Sequence, residues 1–332
     1  MPTGIEWTDE TWNPIRGCSR VSEGCRNCYA ETMAGRFSGP GKPFEGLVTF
    51  GGGRPKWNGQ IRFVEEHLLD PLKWKKPRRI FVNSMSDLFH PGVTDEMRDR
   101  IIAVMALSPR HTFQCLTKRP ERMLAYLNQS CGRIADMVMR MRRERGDHSP
   151  VAPLPHITPG AAWWPLANVW LGVSVENQAA ADERIPLLLQ TPAAVRFISA
   201  EPLLGAINLC AIHRPNTDWR TFDSLRKSTL DGRASEHLDW VICGGESGPG
   251  ARPMHPDWAR GLRDDCVAAG VPFFFKQFGE WIPTLGERHG LKIHEHRQMS
   301  DGEDMARVGK KAAGHLLDGV EWHQFPEESA NA

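Results

Sequence analysis

The stretch GCSRVSEGCRNCYAET, residues 17 to 32, sets Cys18, Cys25 and Cys28 within eleven positions. Three thiols this close can ligate a soft metal, and the spacing limits the options. Cys25-x2-Cys28 is a common half of a zinc site, but a closed zinc site needs four ligands. No second C-x2-C occurs elsewhere, so a distant His or Cys would have to complete it. A set of buried core thiols fits poorly, because Ser19, Arg20, Ser22, Glu23, Gly24, Arg26 and Asn27 between them are polar and loop-forming. Three thiolates also suit an iron–sulfur cluster, where a missing fourth cysteine leaves one iron of a four-iron cluster open to a second ligand. On the residues alone, zinc and iron–sulfur both stand.

Other polar residues fall at the ends of apolar runs. These runs are RRIFVNSMSD (78 to 87), HTFQCLTKR (111 to 119), NVWLGVSVEN (168 to 177), AVRFISAEP (194 to 202), LDWVICGGES (238 to 247) and PFFFKQFGE (272 to 280). A further strand is expected near TWNPIRGC, leading into the cysteines. Each run is followed by a helix-like stretch, the pattern of parallel strands joined by crossover helices. About seven strands are too few for a closed eight-stranded barrel, so the expected fold is α/β, a partial TIM-type (β/α)6-like barrel of parallel strands with insertions; a doubly wound open sheet is the alternative. In either architecture the chemistry sits at the carboxyl ends of the strands. That places Asn83, Ser86 and Asp87, then Lys118 and Arg119, then Glu176, Ser199 and Glu201, then Gly244, Gly245 and Glu246, and finally Lys276 at one end.

Converging Glu176, Glu201 and Glu246 would need a cation, a shared proton, a polar ligand or salt bridges from Lys118, Arg119 or Lys276. Lys118 and Arg119 precede a helix that Pro120 would start, an arrangement suited to a carboxylate or phosphate. Thr94 is expected to cap a helix burying Met97, Ile101, Val104 and Met105, and Pro256 to open another burying Trp258, Leu262 and Val267. Pro186 is expected to divide its stretch into two short helical pieces. Cys115, Cys210, Cys243 and Cys266 read as core residues, and His67, His90, His111 and His255 as turn or packing residues.

The barrel is expected over 1–285, with a cluster loop at 17–30 and insertions at 36–60, 128–165 and 211–236. Residues 286–332 form a C-terminal extension, weakly patterned after about 300. The 332 residues carry a formal charge of +1, which by itself demands neither nucleic acid nor membrane. The basic runs KWKKPRR (73 to 79) and RMRRER (140 to 145) keep a nucleic-acid partner open, the first reading better as a solvated face. No apolar stretch approaches a membrane span and the amino-terminal residues do not read as a signal peptide, so a cytoplasmic location is expected.

The run Cys18-x6-Cys25-x2-Cys28-Tyr29-Ala30 resembles the cluster loop of radical S-adenosylmethionine enzymes, usually C-x3-C-x2-C in a partial (β/α)6 barrel. More narrowly, GIEWTDETWNPIRGC, FVNSMSDLFH, LTKRPERM, GVSVENQ, ISAEPLLG and ICGGESG resemble the phage- and prophage-associated three-cysteine-motif family of radical-SAM-like proteins, over most of residues 4 to 282. Here the first gap is six residues, and Asn27 stands where an aromatic usually precedes the third cysteine. The resemblance implies a 4Fe-4S cluster on Cys18, Cys25 and Cys28, S-adenosyl-L-methionine on the open iron, an electron donor, and a phage-encoded partner protein. It also implies a GGE-like cofactor contact at Gly244, Gly245 and Glu246, with Ser199 and Glu201 nearby. Asn83, Ser86, Asp87, Lys118, Arg119, Glu176 and Lys276 are the substrate-facing candidates.

Overall fold

The computed structural model describes residues 3–146, 164–214, 220–227, 229–230, 233–234, 236–284 and 290–326. Seven strands form one sheet in chain order: β1 (Glu10–Trp12), β2 (Arg79–Val82), β3 (Thr112–Thr117), β4 (Val169–Ser174), β5 (Val195–Ala200), β6 (Trp240–Cys243) and β7 (Phe273–Phe275). The sheet is parallel and curled into a half-barrel flanked by helices, the partial-barrel class expected from the sequence. Its register sets Thr11 opposite Phe81, Phe81 opposite Gln114, and Val241 opposite both Ile198 and Phe273. The strands read as unbroken apolar runs because helices cover what an antiparallel sheet would leave wet. All six residues of β4, all four of β6 and all three of β7 are buried.

The longer helices are α1 (Tyr29–Arg36), α2 (Asp95–Ala106), α3 (Pro120–Leu127), α4 (Cys131–Glu144), α5 (Gln178–Gln190) and α6 (Pro256–Ala269). The Thr94 side chain accepts from the Met97 amide, as a cap should, and Ile101, Val104 and Met105 are buried beneath it. In α6 the buried face is Ala259, Leu262 and Cys266; Val267, expected inward, turns to solvent at 56% exposure. Helix α5 runs unbroken through Pro186 rather than splitting in two. Proline costs one hydrogen bond and a steric adjustment, about 3 kcal/mol. Against this, Ala181, Ile185, Pro186 and Leu188 are all buried on that helix, which favours its continuation.

Cys115, Cys243 and Cys266 are core residues as expected, whereas Cys210 is exposed in the turn before Ala211. The insertion 36–60 contains a hairpin pairing Val48–Gly51 with Arg54–Trp57. Of the insertion 128–165, α4 buries Ile134, Val138 and Met141; residues 147–163 lie outside the described residues. Trp281–Pro283, Asp304–Arg307 and Glu295–Gln298 form an antiparallel sheet with Trp281 and Met305 buried, so the region just past 300, expected to be weakly patterned, is ordered. Among the described residues, no helix is long and apolar enough to cross a membrane.

The chain divides into two compact units. One is Met1–Arg20, Ala30–Gly172 and Gln190–Val195; the other is Val21–Tyr29, Val173–Leu189 and Arg196–Ala332.

Candidate metal and cofactor site

In the first unit the chain passes from β1 to Cys18 through Gly17, whose φ is +98°. A Cβ there would lie 2.1 Å from the Gln60 carbonyl oxygen, so the approach to the first cysteine requires glycine. The Gly17 amide donates to the Met85 carbonyl and the Ser86 hydroxyl to the Ile15 carbonyl, tying the Cys18 approach to the segment after β2. Ser86, a substrate-facing candidate from the sequence, thus serves backbone.

Asp87 is the anchor of this group. Its carboxylate accepts from Thr117 Oγ1 (2.8 Å), the Lys118 amide (3.3 Å), Arg119 Nη1 (2.8 Å) and the Phe89 amide (2.9 Å). Both ion-pair side chains are 8% exposed. Arg119 Nη2 also donates to the Ser19 carbonyl and to Ser19 Oγ, each at 2.9 Å. Burial opposes the Arg119 charge, but Asp87 and the Cys18 sulfur, which it also contacts, outweigh this and raise its pKa. The anion that Lys118 and Arg119 could have recruited is therefore, for Arg119, Asp87 itself.

His90, expected as a turn or packing residue, joins this network. The Gly92 amide donates to Nδ1 at 3.0 Å, so Nε2 carries the hydrogen and donates to Ser19 Oγ at 2.8 Å. Burial, and then the Arg119 charge, push His90 down to about 4 despite Asp87. Ser19 Oγ accepts from both His90 and Arg119, which leaves its own hydrogen for an acceptor beyond.

Asn83, directly after β2, has a φ of +60° and is 3% exposed. Its backbone is satisfied by the Trp12 carbonyl and the Ser86 amide, but neither Nδ2 nor Oδ1 has a partner among the described residues. An amide held unsatisfied in a left-handed conformation costs stability, and such residues cluster where ligands bind.

In the second unit, Glu246 is 5% exposed and holds the loop that bears Cys25 and Cys28. Its Oε2 accepts from Asn27 Nδ2, the Arg252 amide and Arg252 Nε, each at 2.9 Å, and its Oε1 from Arg252 Nη2 at 2.6 Å. Arg252 Nη2 also donates to the Glu23 carbonyl at 3.0 Å, and Asn27 Nδ2 to the Gly250 carbonyl at 2.8 Å. Burial pushes the Glu246 carboxyl up, but the Arg252 and Asn27 hydrogen bonds outweigh it and hold the group below the usual carboxylate range. Asn27, an oddity of the motif in sequence, has a structural role in the fold, where its amide bridges the cysteine loop to the strand-end glutamate.

The three glutamates do not share one cation. Glu176 pairs with Arg184 at 3.0 Å, Glu201 with Lys276 at 2.6 Å and Glu246 with Arg252. Lys276 is a partner the sequence suggests; Arg184 and Arg252 are not, because sequence gives no sign of which distant arginine returns to a strand end. Gly244 and Gly245 follow β6, and a Cβ on Gly245 would lie 2.1 Å from the Phe278 carbonyl oxygen. The glycine thus admits the chain after β7, the Gly245 amide donating to the Gln277 carbonyl at 2.9 Å. Ser199, in β5, is buried, its carbonyl accepting from the Val175 amide.

Among the described residues, no group of three or more His, Cys, Asp or Glu side chains could hold a metal ion. Cys18 belongs to the first unit, Cys25 and Cys28 to the second. The donor chemistry nevertheless fits thiolate ligation. None of the three is in a disulfide and all are partly exposed, whereas burial pushes the Cys115 thiol up to about 12 and raises Cys243 and Cys266 as well. Cys18 in addition has the Arg119 guanidinium beside it.

Fold and strand-end residues define an α/β half-barrel protein with its polar residues at the carboxyl edge of the sheet, a class that hosts many chemistries. The chain belongs to the family described as Protein of unknown function (DUF5131), whose model matches residues 2–326. No curated protein and no solved structure matches it.

Proposed function

We propose that this chain is an iron–sulfur enzyme of the radical S-adenosylmethionine type, with Cys18, Cys25 and Cys28 as cluster ligands and a substrate not yet identified. The observation that carries the reading is a loop of three partly exposed cysteines following the first strand of a parallel half-barrel, with Arg119 at the Cys18 sulfur. When bound, a 4Fe-4S cluster with an open iron supplies the electron that cleaves the sulfonium of S-adenosyl-L-methionine and starts radical chemistry. The chain's own part is electrostatic and positional. Arg119 stabilises the Cys18 thiolate, and Asp87 with Ser19 fixes the guanidinium in place. His90 remains neutral at physiological pH and orients Ser19. Asn83 offers a donor and an acceptor to a polar ligand group without needing to break an existing bond. An electron donor, a cytoplasmic setting and a phage-encoded partner protein belong to the same reading.

A second reading has its own support. The Glu246 carboxylate, the counterpart of a cofactor-binding GGE glutamate, is taken up by Arg252 and Asn27. That use favours a non-catalytic zinc or iron–sulfur protein of a phage-encoded complex, in which the cysteine loop is a clasp.

Anaerobic purification, with iron, sulfide and zinc analysis and paramagnetic resonance before and after adding S-adenosyl-L-methionine, separates the two. About four irons per chain and a spectrum altered by the cofactor are expected. Stoichiometric zinc, or a cluster indifferent to the cofactor, would leave only the clasp.

A further inference from the structure

A polar cavity lies within the first unit, at the amino end of β3. It encloses ≈ 200 Å³ and is lined by Pro71, Leu72, Leu107, Ser108, Arg110, Arg142 and Arg145. Leu107, Ser108 and Arg110 come from the connection between α2 and the amino end of β3, and Arg142 and Arg145 from the last turn of α4 and its cap. This is the end of the strands opposite to the one carrying Asp87 and Arg119.

Three features of this cavity point to a ligand. Its charged lining is entirely cationic, with no carboxylate among the seven residues. Neither Arg110 nor Arg145 is paired with a carboxylate among the described residues, although ion pairs occupy Arg140, Arg133 and Arg100 nearby. Finally, Ser108 is 2% exposed and its hydroxyl has no partner among the described residues, while its amide and carbonyl are satisfied by Met105 and His111. Two arginines at the end of α4 also suit its carbonyl end. That effect accounts for neither Arg110, which is on another segment, nor the orphaned hydroxyl.

We propose that this cavity binds a phosphate group, with the Arg110 and Arg145 guanidinium groups as charged donors, Arg142 alongside, and the Ser108 hydroxyl completing the set. Planar guanidinium forks match the oxygens of a phosphate, and the unpartnered hydroxyl has a hydrogen left to donate. The volume is below the roughly 300 Å³ at which sites for drug-sized molecules begin. It suits a phosphate or the phosphorylated end of a longer molecule, not a whole nucleotide. The inference does not depend on the cluster reading and shares no residue with it. It gives a role to part of the RMRRER run that the strand-end chemistry leaves unused.

The test is calorimetric titration of the full chain with inorganic phosphate at low ionic strength, repeated with ³¹P resonance. Saturable binding of one phosphate per chain is expected, weakening as chloride is raised. Ser108→Ala should weaken it by about tenfold, and the double variant Arg110→Gln with Arg145→Gln should abolish it. Both arginines are exposed, so that variant is expected to melt like the parent. A Cys18→Ala variant should bind phosphate unchanged, which keeps this result separate from the cluster question. Displacement of phosphate by glycerol phosphate alone assigns a monoester source, and displacement by oligothymidylate a phosphodiester one; either supports the site. Absence of saturable binding, or equal binding by the double arginine variant, would overturn it.

Discussion

Replacing Glu246 by glutamine tests whether this residue holds the cysteine loop. The carboxylate accepts four hydrogen bonds, three on Oε2 and one on Oε1, from donors on Asn27 and Arg252. Glutamine keeps one carbonyl oxygen, which can retain the three bonds at the Oε2 position, but it turns an NH2 toward Arg252 Nη2 and removes the negative charge. A charge-assisted hydrogen bond contributes about 1.5–3 kcal/mol, and Arg252, at 19% side-chain exposure, loses its main partner. The expected loss at neutral pH is about 2–3 kcal/mol, less than the roughly 3–5 kcal/mol for Arg252→Gln, which strands a buried carboxylate. Because the folded pKa of Glu246 lies below its unfolded value, the stabilisation is complete above about pH 4.5 and fades as pH falls through the folded pKa. The gap between parent and variant should therefore close on acidification. Guanidinium unfolding at pH 7 and pH 3 reads the energy, and amide exchange in residues 21–29 reads the place. If those amides exchange through the opening that Glu246 opposes, they should speed up by about 30- to 150-fold. A difference below about 0.5 kcal/mol at pH 7, or one undiminished at pH 3, would show that Glu246 does not hold the loop.

Two further substitutions probe the first unit. His90, pushed down to about 4 by burial and Arg119, with Arg122 adding to that and Asp87 opposing, stays neutral in the fold while the unfolded chain takes a proton near 6.5. Stability should be full above about pH 6.5 and fall by up to ~3 kcal/mol toward pH 4. His90→Gln should flatten that slope, and an identical slope in the variant would place its origin elsewhere. Asn83→Gly should raise stability by about 1 kcal/mol, because glycine accepts a φ of +60° and carries no unsatisfied amide. On the radical reading proposed above, the same variant should also weaken binding of S-adenosyl-L-methionine in calorimetry; destabilisation by 1 kcal/mol or more would mean that the amide has partners in the fold.

The sheet was legible because parallel strands buried on both faces leave a signal that survives without context: VWLGV, WVIC and FFF are apolar throughout, and polar residues follow within a few positions of each. Residues within hydrogen-bonding reach through the local chain were legible too, such as Thr94 as a cap and Pro120 as the start of α3. What the sequence could not disclose was pairing across long chain separations. Asn27 meets Glu246 across 219 positions and Arg119 meets Ser19 across 100, and in neither case does the local sequence mark the partner. Such pairing also inverts the reading of Asp87 and Glu246. In sequence they are carboxylates at strand ends, open to substrate and cofactor; in the fold each is enclosed by an arginine and amides. Asn83 differs from both. In sequence it is one strand-end candidate among several, and in the fold a backbone angle together with two unsatisfied atoms distinguishes it from the rest. In the first unit an uncharged amide, Asn83, thus keeps capacity for a ligand, while Asp87 and Arg119 are occupied in holding the frame.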